Sequence, residues 1–268
     1  MKAAVLIQPG SPLEIEELSI SNPGPHEVLI RTAACGLCHS DLHFIDGAYP
    51  HPLPAVPGHE AAGIVEAVGS EVRTVKVGDA VVTCLSAFCG HCEYCVTGRM
   101  SLCLGGETRR SPKDAPRLSR ADGSVVNQML NLSAFAEQML IHEHACVKIN
   151  PDMPLDRAAI IGCAVTTGAG TIFNACKVTP GETVLVVGCG GVGLAVINAA
   201  IEAPGRIQQM GEYQNLTFGE FDGTESGRVQ ALLASCESAG IEARVSANII
   251  KDLWEKFVFL VSVSSLTA

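Results

Sequence analysis

The sequence predicts an α/β fold in three parts: a β-rich domain over residues 1–153, the start of a strand–turn–helix unit over 154–200, and a segment rich in helix over 201–268. Three observations lead there. Short apolar runs broken by Gly and Pro fill the first 150 residues. A β-branched run at 183–187 then leads through Gly188-Cys189-Gly190-Gly191-Val192-Gly193 into an apolar helical run. Beyond Ala200 the chain shows no further strand–helix–strand unit of that kind.

Taken in order, residues 3–7, 27–33, 61–68, 80–83 and 136–141 read as strands, with Glu27-Val28-Leu29-Ile30-Arg31 alternating in part. Pro-Gly and Val-Gly-Asp turns close several of these runs. Residues 105–130 are polar, proline-containing and free of aromatics, and read as a surface loop. Helical patterns cover 156–161 and 168–177, and Thr179-Pro180-Gly181 is a turn. A buried strand is expected at 183–187 and a helix at 192–200. Further on, 206–207 and 216–218 read as strands and Phe221-Asp222-Gly223 as a turn. A helix follows over 226–239, with Ser226 as N-cap, Val229, Leu232, Leu233 and Cys236 as its apolar face and Gly240 as its stop. A last apolar helix begins near Lys251.

Composition narrows the class. With 47% hydrophobic and 17% charged residues among 268, the chain can bury a core in each of two domains. A net charge of -10 weighs against nucleic acid or an anionic membrane as partner. The apolar run at 3–7 ends at Gln8-Pro9, too short for a signal-peptide core. The long uncharged stretch 183–201 holds four glycines and reads as strand, turn and helix rather than a membrane span. Twelve cysteines in a chain of this size point to metal ligands or core packing in a reducing, cytoplasmic setting.

The cysteines are not scattered. Cys89, Cys92, Cys95 and Cys103 form a C-x2-C-x2-C-x7-C run, whose two-residue gaps let neighbouring sulfurs converge while the longer gap returns the chain for the fourth; four thiolates make a closed tetrahedral zinc site. Cys38, the pair His59-Glu60 and Cys163 form a separate Cys/His/Cys set. Cys35 makes a CxxC with Cys38 and reads as a structural residue, with rival ligand or redox partner as the alternatives. In the glycine turn, Gly188 permits a tight bend, Gly190 lets the backbone approach a pyrophosphate, and Gly193 allows close helix–strand packing. The acidic residue a dinucleotide ribose needs, about 20 residues on, falls near Glu212, although the GRIQQMG before it makes a poor buried strand.

CGLCHSDLH, PGHEAAGIVEAVG, the four-cysteine run, GCAVTTGAG and VLVVGCGGVGLAVINAA together resemble the zinc-dependent alcohol dehydrogenases of the medium-chain dehydrogenase family, in order, from residue 1 to about residue 200. The resemblance implies a GroES-like catalytic domain followed by an incomplete Rossmann-like segment, with two zincs per chain and NAD or NADP as cofactor. It implies that Cys38, His59 and Cys163 hold an open zinc, and that Ser40 and His43 relay the alcohol proton to solvent. Asp41 and Glu60 match the outer carboxylates that orient a ligand histidine. His39 matches a pyrophosphate contact and Thr167 a residue beside the nicotinamide. The partner would be a small alcohol or aldehyde, and a homo-oligomer is compatible with it. His51, His142 and His144 read as solvated, and Cys84, Cys146, Cys176, Cys189 and Cys236 as packing residues.

Residues 201–268 resemble a different enzyme. IEAPGRIQQMG, LTFGEFDGTESGRVQALL, AGIEARVSANI and LWEKFVFLVSVSSLTA are similar to ketopantoate reductase. Lys256 matches its catalytic lysine, but the asparagines expected one and two turns later are Leu260 and Ser264. Lys256 reads equally as a lysine snorkelling from an apolar helix. The chain thus reads as two incomplete reductases joined near Ala200. The first expectation is NAD(P)-dependent oxidation of a primary alcohol or hydroxymethyl compound. Its alternatives are NADPH-dependent reduction of a 2-oxo acid and a zinc-binding module without turnover.

Overall fold

In the computed structural model, residues 1–111, 113–179, 182, 184, 186, 188, 190–200, 216–220, 222–238 and 243–252 are described. Alternation of side chains sets the first strands: β1 (Lys2–Val5) turns Ala3 and Val5 inward and pairs antiparallel with β2 (Glu14–Glu17). After the short β3 (Ser19–Ile20) comes the long β4 (Glu27–Gly36), which buries Val28 and Ile30. α1 (His39–Ile45), β5 (Ala55–Val56), β6 (Glu60–Val68), β7 (Ala80–Thr83) and α2 (Glu93–Val96) follow. The rest of the β-rich part is β8 (Leu118–Ser119), β9 (Val125–Gln128), β10 (Gln138–His142) and β11 (Cys146–Lys148).

Five strands form one antiparallel sheet in the order β10-β4-β6-β7-β11. Val28, Ile30, Val65, Val81, Met139 and Ile141 of this sheet pack with Leu132 and Ala134 into one core cluster. A smaller sheet, β3-β8-β9-β5, is antiparallel except where β5 meets β9. It encloses a second cluster containing Val5, Leu18, Val56, Leu118 and Val126.

The 105–130 stretch corrects its sequence reading. It carries β8 and β9, and Leu118, Val126 and Met129 are buried. Its charge misled because that charge is neutralised inside: Arg117 is buried with Nε 2.7 Å from Glu27 Oε1, and Arg110 donates to the same carboxylate. Burial pushes the Glu27 carboxyl up, but the Arg110 bond, the Gly24 N–H and Arg117 together hold it below the usual range.

After β11 the chain turns helical. α3 (Leu155–Ala158) runs into a 3-10 turn, Ala159–Gly162. α4 (Ala164–Gly170) runs into a π-helical turn, Thr171–Cys176, where one helix was expected over 168–177. The wider turn shifts the side-chain phase, and Cys176 is exposed rather than packed. α5 (Gly191–Ala200) lies on α4, with Gly168 against Ala195 and Val192, where a Cβ would not fit. The strand expected at 183–187 falls largely outside the described residues.

The chain divides into two compact units, 1–204 and 205–268. In the second, β12 (Leu216–Phe218) and β13 (Ala243–Val245) pair parallel and are joined through α6 (Gly227–Ser238). This is a strand–helix–strand unit where none was expected, because Ala243-Arg244-Val245 is too short and polar to announce a strand. The Ser226 hydroxyl accepts from the Val229 N–H at 3.3 Å, as an N-cap should. α6 buries Val229 and Cys236 with Leu233 half-buried between them, while Leu232 is exposed: the stripe runs at i, i+4, i+7 and leaves i+3 on its edge. The strand read at 206–207, Phe221, Gly240 and the expected continuation of the last helix past residue 252 lie outside the described residues.

Candidate metal and cofactor sites

The four-cysteine run gathers its sulfurs from one short segment. Cys92 precedes the single turn of α2, Cys95 lies within it, and Cys103 returns after a 3-10 turn. The sulfurs stand 3.9 Å (Cys89–Cys95), 3.5 Å (Cys92–Cys95), 3.8 Å (Cys92–Cys103) and 3.6 Å (Cys103–Cys89) apart. All four are free thiols whose sulfurs lie within 4.8 Å of one another. Backbone N–H groups of Cys89 and Gly105 donate to the Cys103 sulfur, each at 3.3 Å, and that of Cys92 to Cys89 at 3.4 Å. The Cys95 N–H is the main cause lowering the Cys92 thiol, while burial raises that of Cys95. Convergent sulfurs with N–H support suit a thiophilic cation.

The second set is assembled from distant segments. The register of β4 on β6 pairs Cys35 with Ala61 and Gly36 with Glu60, so Gly36-Leu37-Cys38 runs beside His59-Glu60. Two glycines permit the approach: a Cβ at Gly36 would strike the Glu60 carboxylate and Ile160, and one at Gly162 would overlap the Thr83 carbonyl. Gly162 thereby delivers Cys163, and the Cys38 and Cys163 sulfurs come to 3.9 Å. Ligand atoms of Cys38, His59, Glu60 and Cys163 all lie within 4.8 Å of one another.

Asp41 organises this cluster. Buried in α1, it accepts from the Cys38 N–H (3.1 Å), the Gly58 N–H (3.1 Å) and His59 Nδ1 (2.9 Å). With Nδ1 held by a carboxylate, the lone pair sits on Nε2, an atom that is buried and has no hydrogen-bond partner among the described residues. An orphaned buried imidazole nitrogen beside two sulfurs fits a cation held there. Burial, then the Glu60 hydrogen bond and the neighbouring Cys38 and Glu60 charges, push the Cys163 thiol up, so a cation would relieve a crowded set of acids. The structure gives the orienting of His59 to Asp41 alone; the Glu60 carboxylate faces the sulfurs instead. Cys35 is no rival, since it packs against the sheet core and its thiol donates to the Gly36 carbonyl.

His39, Ser40 and His43 share α1, with His39 exposed and the other two half-buried. The glycine turn forms as read: Gly188 takes φ +97°, and a Cβ at Gly193 would collide with the Gly188 carbonyl. Among the described residues nothing would meet a Cβ at Gly190. Gly191 stands so near Ala164 that an added Cβ would come within 3.3 Å of the Ala164 Cβ, which sets the start of α5 beside the Cys163 segment. Thr167, on α4, is exposed. Glu212, Lys256, Leu260, Ser264 and Cys189 lie outside the described residues.

Three histidines read as solvated are half-buried. His51 packs edge-on to Phe44, His144 stacks on Phe88 at 4.5 Å, and burial pushes His142 down to about 4. Sequence reading also missed Gly58 and Thr83, which support His59. Thr83 Oγ1, fully buried, accepts from the Ala61 N–H at 3.2 Å. The one local signal for Gly58 was its glycine before the histidine, here at φ +96°.

Known proteins similar to this chain include alcohol dehydrogenases and their domains. Residues 24–151 match the family model described as the alcohol dehydrogenase GroES-like domain. The NDMA-dependent alcohol dehydrogenase of Amycolatopsis methanolica is 43% identical over 205 residues, 75% of this chain and 55% of that protein. An alcohol dehydrogenase zinc-binding domain protein from Burkholderia ambifaria superposes with a TM-score of 0.70 at 33% identity, over 92% of this chain and 63% of the other. Benzyl alcohol dehydrogenase from Acinetobacter calcoaceticus gives 0.67 at 33%, over 91% and 63%. The chain spans about half the length of the curated relatives it matches. The β-rich part of this chain therefore has a GroES-like fold similar to that of alcohol dehydrogenases.

Proposed function

We propose that this chain serves zinc-dependent, NAD(P)-linked oxidation of a primary alcohol or hydroxymethyl compound, with two zincs per chain. The observation that carries the reading is the orphaned Nε2 of His59, aimed into a cluster with the Cys38 and Cys163 sulfurs. Zinc in such a site supplies Lewis acidity that eases loss of a hydroxyl proton near neutral pH. Asp41 orients His59 and Ser40 and His43 carry the proton outward. The turn from Gly188 to Gly193 and the start of α5 receive the cofactor pyrophosphate, with His39 and Thr167 as further contacts. The four-cysteine lobe holds the second zinc as a structural clamp. A reducing, cytoplasmic setting belongs to the same reading, supported by the free thiols of the described cysteines; no single described helix is long and apolar enough to cross a membrane. A homo-oligomer is compatible with it.

Metal analysis and steady-state assays test it together. Wild type is expected to hold two zincs and to reduce NAD or NADP with a primary alcohol, and Cys38→Ser or His59→Ala to abolish this while Lys256→Ala leaves it nearly unchanged. Ketopantoate reduction that depends on Lys256 would hand the function to the segment after residue 200. Two zincs without turnover would leave a zinc-binding module.

A further inference from the structure

A proton-relaying imidazole has two requirements that conflict. Both nitrogens must be free to take up and release protons, yet the ring must stay oriented. His43 meets the first: among the described residues neither ring nitrogen has a hydrogen-bond partner. Its orientation must therefore come from packing. Two rings stand perpendicular to it, His39 at 4.7 Å and 88° and Tyr49 at 4.9 Å and 82°. Both are edge-to-face distances at which aromatic pairs attract.

We propose that Tyr49 is a positioning residue that clamps the His43 imidazole with both nitrogens left free, a proposal resting on the relay assigned to His43 above. The main chain is built to bring it there. α1 ends as the Asp46 N–H donates to the Leu42 carbonyl, and Gly47 then takes φ +79°. That reversal returns the chain so that the Tyr49 N–H donates to the His43 carbonyl at 3.1 Å. One residue is thus tied to His43 at both backbone and ring. Tyr49 is itself braced by Phe44 at 5.6 Å, and Phe44 by His51 at 5.6 Å. The phenol hydroxyl plays no part in this account, so the ring alone should suffice.

The experiment compares zinc-loaded, histidine-labelled wild type with Tyr49→Phe, Tyr49→Leu and Tyr49→Ala, by NMR of the His43 ring and by steady-state kinetics. Wild type and Tyr49→Phe should show an ordered His43 ring with cross-relaxation to the ring at position 49. Tyr49→Leu, which keeps bulk without an aromatic edge, and Tyr49→Ala should show a rotationally averaged His43 ring at unchanged zinc content. Their turnover should fall on the order of tenfold while KM moves by less than about twofold. A His43 ring equally ordered in Tyr49→Leu and Tyr49→Ala would overturn the clamp. If His43→Ala leaves turnover unchanged, the relay falls instead; if wild type oxidises no alcohol, the proposed function falls. In both cases the NMR comparison still decides the clamp.

Discussion

The four-cysteine lobe and the Cys38–His59–Cys163 cluster gather similar ligands by opposite means. The lobe draws its sulfurs from one short stretch between residues 89 and 103 and steadies them with nearby N–H groups. The other cluster takes one ligand before α1, one before β6 and one before α4, and depends on the register of β4 against β6. A local site needs only a loop of the right spacing. An assembled site needs the whole sheet, and a buried carboxylate to hold its parts together.

That contrast can be broken most forcefully at Asp41. Asp41→Ala strands the Cys38 N–H, the Gly58 N–H and His59 Nδ1–H, each buried or half-buried donor costing about 1–3 kcal/mol, so the loss in urea denaturation should be at least about 3 kcal/mol. Metal affinity at the assembled cluster should also drop about 10–100-fold, as outer carboxylates typically contribute. Cobalt titration, with the sulfur charge-transfer band of the four-cysteine lobe as internal reference, checks both. Equal weakening of the two sites would erase the distinction.

The reciprocal change is Cys95→Ser. One metal equivalent should disappear and the other remain, and limited proteolysis should begin to cut between residues 89 and 104 while the five-stranded sheet stays protected. Loss of both metals from a folded sheet would show that the lobe supports the assembled cluster after all.

The mildest test spares both sites. Glu27, held by Arg110 and Arg117, has its carboxyl below the ordinary value of 4.5. Its contribution to stability is therefore full above the ordinary carboxylate range and lost as pH falls through its lower folded value. Denaturation midpoints from pH 6 downward should decline below about pH 4.5, and Glu27→Gln should flatten that decline at a cost in neutral stability from an unpaired buried Arg117. An unchanged slope in Glu27→Gln would assign the acid sensitivity to other carboxylates.

Legibility in the sequence followed the same local–distant divide. Strands such as β6 and β7 stood out because β-branched and small apolar residues run between Gly and Pro turns. The residues of both metal clusters were also nameable, since cysteine spacing and a familiar motif order are local facts. The 105–130 stretch was misread because two of its arginines, Arg110 and the buried Arg117, pair with Glu27, a partner far away in sequence. β13 was missed because a three-residue strand has no period to detect.

By itself the sequence determined the donor chemistry: four sulfurs at a spacing that can close on a cation, a glycine turn whose positive φ no other residue adopts easily, and short strands that must pair to bury Val and Ile. Only the tertiary structure turned the Cys35 thiol to the Gly36 carbonyl, gave Asp41 rather than Glu60 to His59, and left His59 Nε2 without a hydrogen-bond partner among the described residues. The physical reason is that those choices depend on which side of a strand faces which neighbour. A register of β4 on β6 shifted by one residue would have turned the Cys35 side chain to the other face of the sheet.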